Sequence, residues 1–196
     1  MIANLNSSYI SPEDYLEGEK ISPIKHEYIR GEVYAMAGAS KAHGIIALNL
    51  ATRLKNHLRG SGCIPYTTDI KVRIEVADVY YYPDVTVTCD ERDSTSLNED
   101  FIRYPRLIVE VLSPKTAAFD RGDKFADYRT LESLEEYVLI SQERISVECF
   151  RRNSSGRWEL YVYSSGDEIH LASVDFRFPI EALYEDVMGN EATGNG

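Results

Sequence analysis

The sequence predicts an α/β fold of the mixed α+β kind, and three stretches carry that prediction. Residues 67–78, TTDIKVRIEVAD, alternate apolar and polar side chains at the period of a half-covered strand. Residues 106–113, RLIVEVLS, form a nearly continuous apolar run with one charge inside it, the pattern of a central strand covered on both faces. Residues 41–59 have Ser40 as N-cap, Ile45, Leu48, Ala51 and Leu58 along much of one stripe, and Gly60 to close them, which predicts a long helix.

The remaining elements follow in chain order. Ser11-Pro12-Glu13-Asp14 supplies a cap, a proline for the first helical position and a capping acid, so a short helix begins there and ends near Gly18. HEYIRGEVYAMAG predicts a hairpin around Arg30-Gly31, with Glu27 on its first strand and Glu32 opening its second. In the alternating strand, Ile70, Val72, Ile74 and Val76 face a core, while Asp69, Lys71, Arg73 and Glu75 share the opposite side. Ala77-Asp78 then turns the chain into one strand over residues 80–89, YYYPDVTVTC, with Pro83 marking its first residue. Val85 and Val87 face one way there, and Asp84, Thr86 and Thr88 the other. DERDSTSLNEDFIRYP is polar enough to be a loop, and Pro114 ends the 106–113 strand. DRGDKFADYRTLES reads as a helix with Arg121, Phe125 and Tyr128 at helical spacing. EEYVLIS, ISVECFRR and RWELYVYSS are three further strands, with NSSG turning between the last two, and a short strand and helix run through FRFPIEALYED.

A chain of 196 residues with 43% hydrophobic content is long enough for one well-packed domain and short for two, so one domain is expected over 1–196, with an ordered core over 11–187 and a loose tail over 188–196. No run approaches the roughly 18 apolar residues of a membrane span, and the N-terminus lacks the basic flank and apolar stretch of a signal peptide. A cytoplasmic location is expected. Cys63, Cys89 and Cys149 lie far apart without CxxC spacing, which argues against a zinc site and a disulfide framework and predicts small core residues. Twenty-one Lys and Arg against 32 Asp and Glu give a net charge of -11, which repels polyanions unless the cations gather on one face.

Two carboxylates stand out against this background. Alternation puts Ile108, Glu110 and Leu112 on one face, so Glu110 sits between apolar side chains on a buried strand, where an ionised carboxylate is costly unless a cation meets it. A salt bridge to arginine or lysine is one answer. Asp84, at a strand mouth, is by itself an ordinary cap or turn acid. If the two strands are neighbours, charges about 5 Å apart repel by roughly 3 kcal/mol at an effective dielectric of 20, so one acid holds a proton or a cation sits between them. A divalent ion with oxygen ligands, magnesium being the common intracellular choice, meets that need.

YPDV followed by VEVLS, with KHEYIRGEVYAMAGAS and a histidine-bearing helix before them and DRGDKFADYR after, resembles the Uma-two family, a branch of the PD-(D/E)XK restriction-endonuclease-like superfamily. The resemblance runs from about Ser11 to Tyr184. It implies a central mixed sheet flanked by helices, with additional C-terminal antiparallel strands, and a Mg2+ or Mn2+ site at Asp84 and Glu110. It also implies Glu27 as an early acid supporting the metal, against the alternative of an exposed strand glutamate. The superfamily pattern places lysine two positions after the second acid, where this chain has Leu112. The resemblance therefore points to Lys124 on the following helix, with Lys115 nearer in sequence but in a loop; a solvated lysine paired with Asp120 is the alternative. Four supporting candidates are Tyr128, which either orients Lys124 or packs in the core; His43, in the first helical turn, where the dipole disfavours protonation; and Asp69 with Lys71, which border the cleft or simply line a solvated sheet face.

The expected function is metal-dependent endonuclease cleavage of DNA, with Asp84, Glu110 and Lys124 catalytic. Lys41, Arg53, Lys55, Arg59, Lys71 and Arg73 offer a phosphate track if they are not ordinary surface charge. The rival is a noncatalytic member of the same fold binding nucleic acid or protein, favoured by Leu112; a metal-free paired-carboxylate hydrolase of sugars is a third reading. A homodimer would suit double-strand cutting. HEYIR lacks the second histidine of a zinc protease helix.

Overall fold

The computed structural model describes residues 9–36, 38–95 and 98–187; the expected tail over 188–196 lies outside them. Helix α1 (Pro12–Ile21) starts on the Ser11 cap, whose hydroxyl accepts the Asp14 N–H, and runs past Gly18 to Ser22. Strands β1 (His26–Ile29) and β2 (Glu32–Ala35) form the hairpin, with Arg30 and Gly31 both at positive φ, as a two-residue turn of this hand requires. Helix α2 (Lys41–His57) is capped by Ser40, whose hydroxyl accepts from His43 N–H. Its buried stripe is Ile46, Ala47, Leu50, Leu54 and Leu58; Leu48, expected inside, is 63% exposed, because it lies about 200° around the helix from Ile46.

Strands β3 (Ile64–Thr67) and β4 (Lys71–Ile74) precede a 3₁₀ turn over Glu75–Ala77 that leaves Val76 exposed. The strand expected over 80–89 is two strands in different sheets, β5 (Val79–Tyr81) and β6 (Val85–Thr88). Pro83 has no N–H for a ladder, and Tyr82-Pro83-Asp84 carries the chain from one sheet to the other. The expected loop holds a short helix α3 (Glu91–Thr95) and β7 (Phe101–Ile102). Strand β8 (Pro105–Leu112) is followed by α4 (Ala117–Arg121) and α5 (Asp123–Tyr128), where one helix was expected. Gly122 divides them, and a Cβ there would stand 3.1 Å from the Ala118 carbonyl oxygen. Strands β9 (Glu136–Ser141), β10 (Ser146–Arg152) and β11 (Trp158–Ser164) match the three expected, and β12 (Glu168–Leu171) joins β13 (Phe176–Pro179) in a hairpin whose first strand was not foreseen.

The architecture is mixed α/β, with mixed sheets flanked by helices. A six-stranded sheet has the order β11-β10-β9-β8-β6-β3, parallel only between β8 and β9, and a five-stranded sheet, β2-β1-β5-β4-β7, packs on one of its faces. Between the sheets lie Val72, Ile74 and Tyr81 against Ile108, Leu112 and Leu139, closed by Phe125 and Tyr128. On the other face of the six-stranded sheet, α2 covers Val85, Val87, Leu107, Val109 and Val111. Tyr15 of α1 packs on Tyr28 and Tyr80, covering the outer face of the five-stranded sheet. That face is not solvated, which is why Lys71 is buried. At the six-stranded sheet's far end, buried Glu136 accepts from Arg151 Nε at 2.6 Å and from the N–H groups of Ala172 and Ser173, tying the C-terminal hairpin down.

The cysteine expectation is corrected. Cys63 and Cys89 form a disulfide just beyond the Ile64 and Thr88 pair of β3 and β6, and only Cys149 is a free buried residue. Residues 26 apart in sequence become cross-strand neighbours through a register that cysteine spacing does not encode. Among the described residues no helix is long and apolar enough to cross a membrane.

Candidate active site

The sheet crossing positions the first acid. Val85 pairs with Val109 across antiparallel β6 and β8, so Asp84, one residue before Val85, and Glu110, one residue after Val109, come to the same end of adjacent strands. Asp84 Oδ2 accepts the Val111 N–H at 2.7 Å, and His43 Nε2 lies 2.7 Å from Oδ1. His43 reaches this point because Ser40 starts α2 at the same end of the sheet. The histidine thus contacts the acid itself.

Glu110 faces the space between the sheets, 4% exposed, with Ile108 and Leu112 as its same-face neighbours. Lys124 Nζ stands 3.0 Å from Glu110 Oε1 and 3.0 Å from Glu27 Oε1, with Asp120 Oδ1 at 3.7 Å. Tyr128 packs its ring in the core and donates its hydroxyl to Glu110 Oε1 at 3.3 Å, so its polar contact is with the acid rather than with Lys124. The break at Gly122 lets the end of α4 and the start of α5 present Asp120 and Lys124 to the same point. Leu112, in the position where the superfamily pattern has lysine, is buried in the core. Lys115 is exposed in the turn after Pro114.

Electrostatics follow from burial and a surplus of acids. Burial raises the Glu110 pKa well above the ordinary carboxylate range; Lys124 opposes this, while Asp120, Asp84 and Glu27 add to it. Burial likewise raises Asp120. For Lys124, burial works against its charge, but Glu110 and Glu27, with Tyr128 and Asp120, outweigh it and hold the ammonium protonated. At 3.0 Å each carboxylate contact is worth about 5 kcal/mol of gross attraction at an effective dielectric of 20, enough in pairs to offset a burial cost of several kcal/mol per ion.

The donor chemistry fits a hard divalent cation, since the groups around Lys124 are carboxylate oxygens that outnumber its ammonium. A cation there would be held by Asp84 and Glu110, with Glu27 behind Lys124. Among the described residues no three His, Cys, Asp or Glu side chains gather into a ready-made cage, so an ion here would take its remaining ligands from water and substrate oxygens, as magnesium commonly does.

Two supporting candidates lie elsewhere. Asp69 is at the surface, paired with Lys25. Lys71 is on the opposite face of the five-stranded sheet, donating to the Tyr82 hydroxyl at 3.3 Å, while that hydroxyl donates to Glu19. Arg73 pairs with Asp78 and Arg53 with Glu185, so the expected phosphate track is reduced to exposed Lys41, Lys55 and Arg59. Asp120 is the site residue to which sequence reasoning gave no part of its own; its i, i+4 spacing from Lys124 was the available signal.

A profile of the Uma2 family, described as "Putative restriction endonuclease", matches residues 12–181. The chain belongs to the Uma2 family. It is 41% identical over 175 residues to "Uncharacterized protein slr1290" of Synechocystis sp., covering 89% of this chain and 91% of that protein. It is 32% identical over 160 residues to "Uncharacterized protein sll1609" of the same organism, covering 82% and 90%. A crystal structure from Anabaena variabilis, described as "a putative nuclease belonging to DUF820", superposes with a TM-score of 0.74 at 15% identity, covering 91% of this chain and 99% of that one. At that identity the likeness concerns the fold. The Uma2 match spans every element that positions the acids, from α1 to the turn after β13.

Proposed function

We propose that this Uma2 protein is a metal-dependent endonuclease hydrolysing phosphodiester bonds of DNA within a single nuclease domain. The observation that carries the reading is the Lys124 ammonium, 3.0 Å from Glu110 although Leu112 occupies the usual lysine position. This Glu and Lys contact, beside the strand end that carries Asp84, supports the reading, because phosphodiester hydrolysis uses carboxylates and a cation in one cleft.

Asp84 and Glu110 would hold Mg2+ or Mn2+, with Glu27 in support. When bound, the ion lowers the pKa of its water and offsets charge on the phosphoryl group. His43 and the Val111 N–H fix the Asp84 carboxylate, so its oxygens need no reordering when substrate arrives. Tyr128 and Lys124 do the same for Glu110. Lys124 has the charge and the donors to orient the attacking water or to neutralise a non-bridging phosphate oxygen. The backbone N–H of Tyr82 lies 3.4 Å from Glu27 Oε1, joining that acid to the crossing segment.

The test is single-turnover cleavage of supercoiled and single-stranded DNA with magnesium, manganese or chelator. Cleavage that requires the ion and is lost in Asp84→Asn and Glu110→Gln supports the reading. Binding without cleavage under every condition would favour the noncatalytic alternative.

A further inference from the structure

Natural sheets guard their edges, because a strand with unpaired N–H and C=O groups recruits another strand. Most edges here are guarded. Strands β2, β3, β12 and β13 have four residues each and β7 has two; β3 carries Pro65 and lies beside the Cys63–Cys89 bridge, and β13 ends on Pro179. Strand β11 is different. It is seven residues long, it ends the six-stranded sheet, it contains no proline or lysine, and Leu160, Tyr161 and Val162 are 52%, 40% and 59% exposed at its centre.

We propose that β11 is a self-association surface whose occupant is β11 of a second copy of this chain, paired antiparallel about a two-fold axis at Tyr161. The strand is complementary to itself in that register. Partners across an antiparallel pair share a face, so centring on Tyr161 sets Leu160 opposite Val162 of the partner, Glu159 opposite Tyr163, and Trp158 opposite Ser164, using all seven residues. Exposed apolar side chains meet each other on one face, and no like charges face one another. Charge favours this edge as the meeting point, since Glu159 is the one charged residue in Trp158–Ser164 of a chain whose net charge is -11. The pairing does not depend on the nuclease reading. It bears on it, because each Glu110 strand lies three strand spacings from the junction, which separates the two β8 strands by roughly 33 Å at 4.7–4.9 Å per spacing. Such a dimer carries two separate acidic sites rather than one shared cleft.

Symmetry supplies the test. Only the residue on the axis faces its own copy, so Tyr161→Cys cross-links into a disulfide dimer on mild oxidation, whereas Glu159→Cys, displaced four residues from its copy, does not. The natural cysteines give little background, two being bridged and Cys149 buried. In sedimentation, Leu160→Lys/Val162→Lys puts lysines opposite each other and weakens dimerisation by about tenfold or more. Leu160→Lys/Val162→Glu instead sets the introduced lysine of one copy opposite the introduced glutamate of the other and recovers most of that loss. Trp158, the single tryptophan, shifts its emission to the blue as wild-type concentration rises and does not in the double-lysine variant. A wild-type monomer at every concentration, equal cross-linking of both cysteine variants, or a double-lysine variant that dimerises like wild type overturns the proposal.

Discussion

Replacing Lys124 by methionine removes one charge and keeps most of the side-chain volume. In the native protein that ammonium lies 3.0 Å from both Glu27 and Glu110, and only 5% of the residue is exposed. Without it Glu110 is left buried and Glu27 half-buried with no counter-charge, and breaking a buried pair by deleting one partner costs about 3–5 kcal/mol. For a chain of this length 1 kcal/mol moves the midpoint by about 2–4 °C, so Lys124→Met should lower Tm by roughly 6–20 °C in chelator. Protonation of Glu110, whose pKa burial already raises, places the result toward the lower end. A divalent ion can replace part of the lost charge, so magnesium should recover more of Tm in the variant than in wild type. Turnover should fall by about 100-fold or more, as for loss of one transition-state donor, and Lys124→Arg should not restore it fully, because a broad guanidinium replaces a compact ammonium. Differential scanning fluorimetry with and without magnesium, beside single-turnover cleavage, reads all three effects. A variant with wild-type Tm in chelator and wild-type turnover would show that Lys124 neither neutralises the acids nor serves the chemistry.

Four further outcomes are expected. His43→Ala should weaken magnesium binding by roughly 10–100-fold, measured by calorimetry, because the residue holds Asp84 at 2.7 Å; unchanged affinity would make His43 a packing residue. Thiol titration of the unfolded, unreduced protein should find one free thiol, and Cys63→Ala/Cys89→Ala should lose about 3.5 kcal/mol of stability for a loop of 26 residues; three titratable thiols would refute the bridge. Burial lowers the Lys71 pKa, so between that value and the ordinary one near 10.4 the unfolded chain holds the extra proton and stability rises with pH. Lys71→Met should therefore stabilise by roughly 1 kcal/mol at neutral pH, an advantage that fades as pH climbs through that window in denaturant titrations. DNA affinity should be weak and fall steeply with salt, since the net charge is -11 and acids outnumber the cations that could contact phosphate; tight, salt-insensitive binding would contradict the reading.

What the sequence determined by itself was local. Caps at Ser11 and Ser40, the turn at Arg30-Gly31 and the alternation of Ile108, Glu110 and Leu112 are fixed by neighbours within a few residues, and the structure has each of them. Glu110 could be picked out because a charge inside an apolar run is costly wherever the strand ends up. Tertiary structure decided which residues met. Pro83 reads as the start of a strand, but that the chain changes sheets there, bringing Asp84 beside Glu110, depends on pairings with β4 and β8 at long range. The same holds for the facing of Lys71: period-two alternation says which side it takes but not that α1 and its tyrosines cover that side. The Cys63–Cys89 bridge needs the β3 and β6 register, and the meeting of Lys124 with Glu27 and Glu110 needs α5 packed against β1 and β8. Spacing along the chain encodes the direction of a side chain; what it meets is set by the packing of segments far apart in sequence, to which the local pattern is blind.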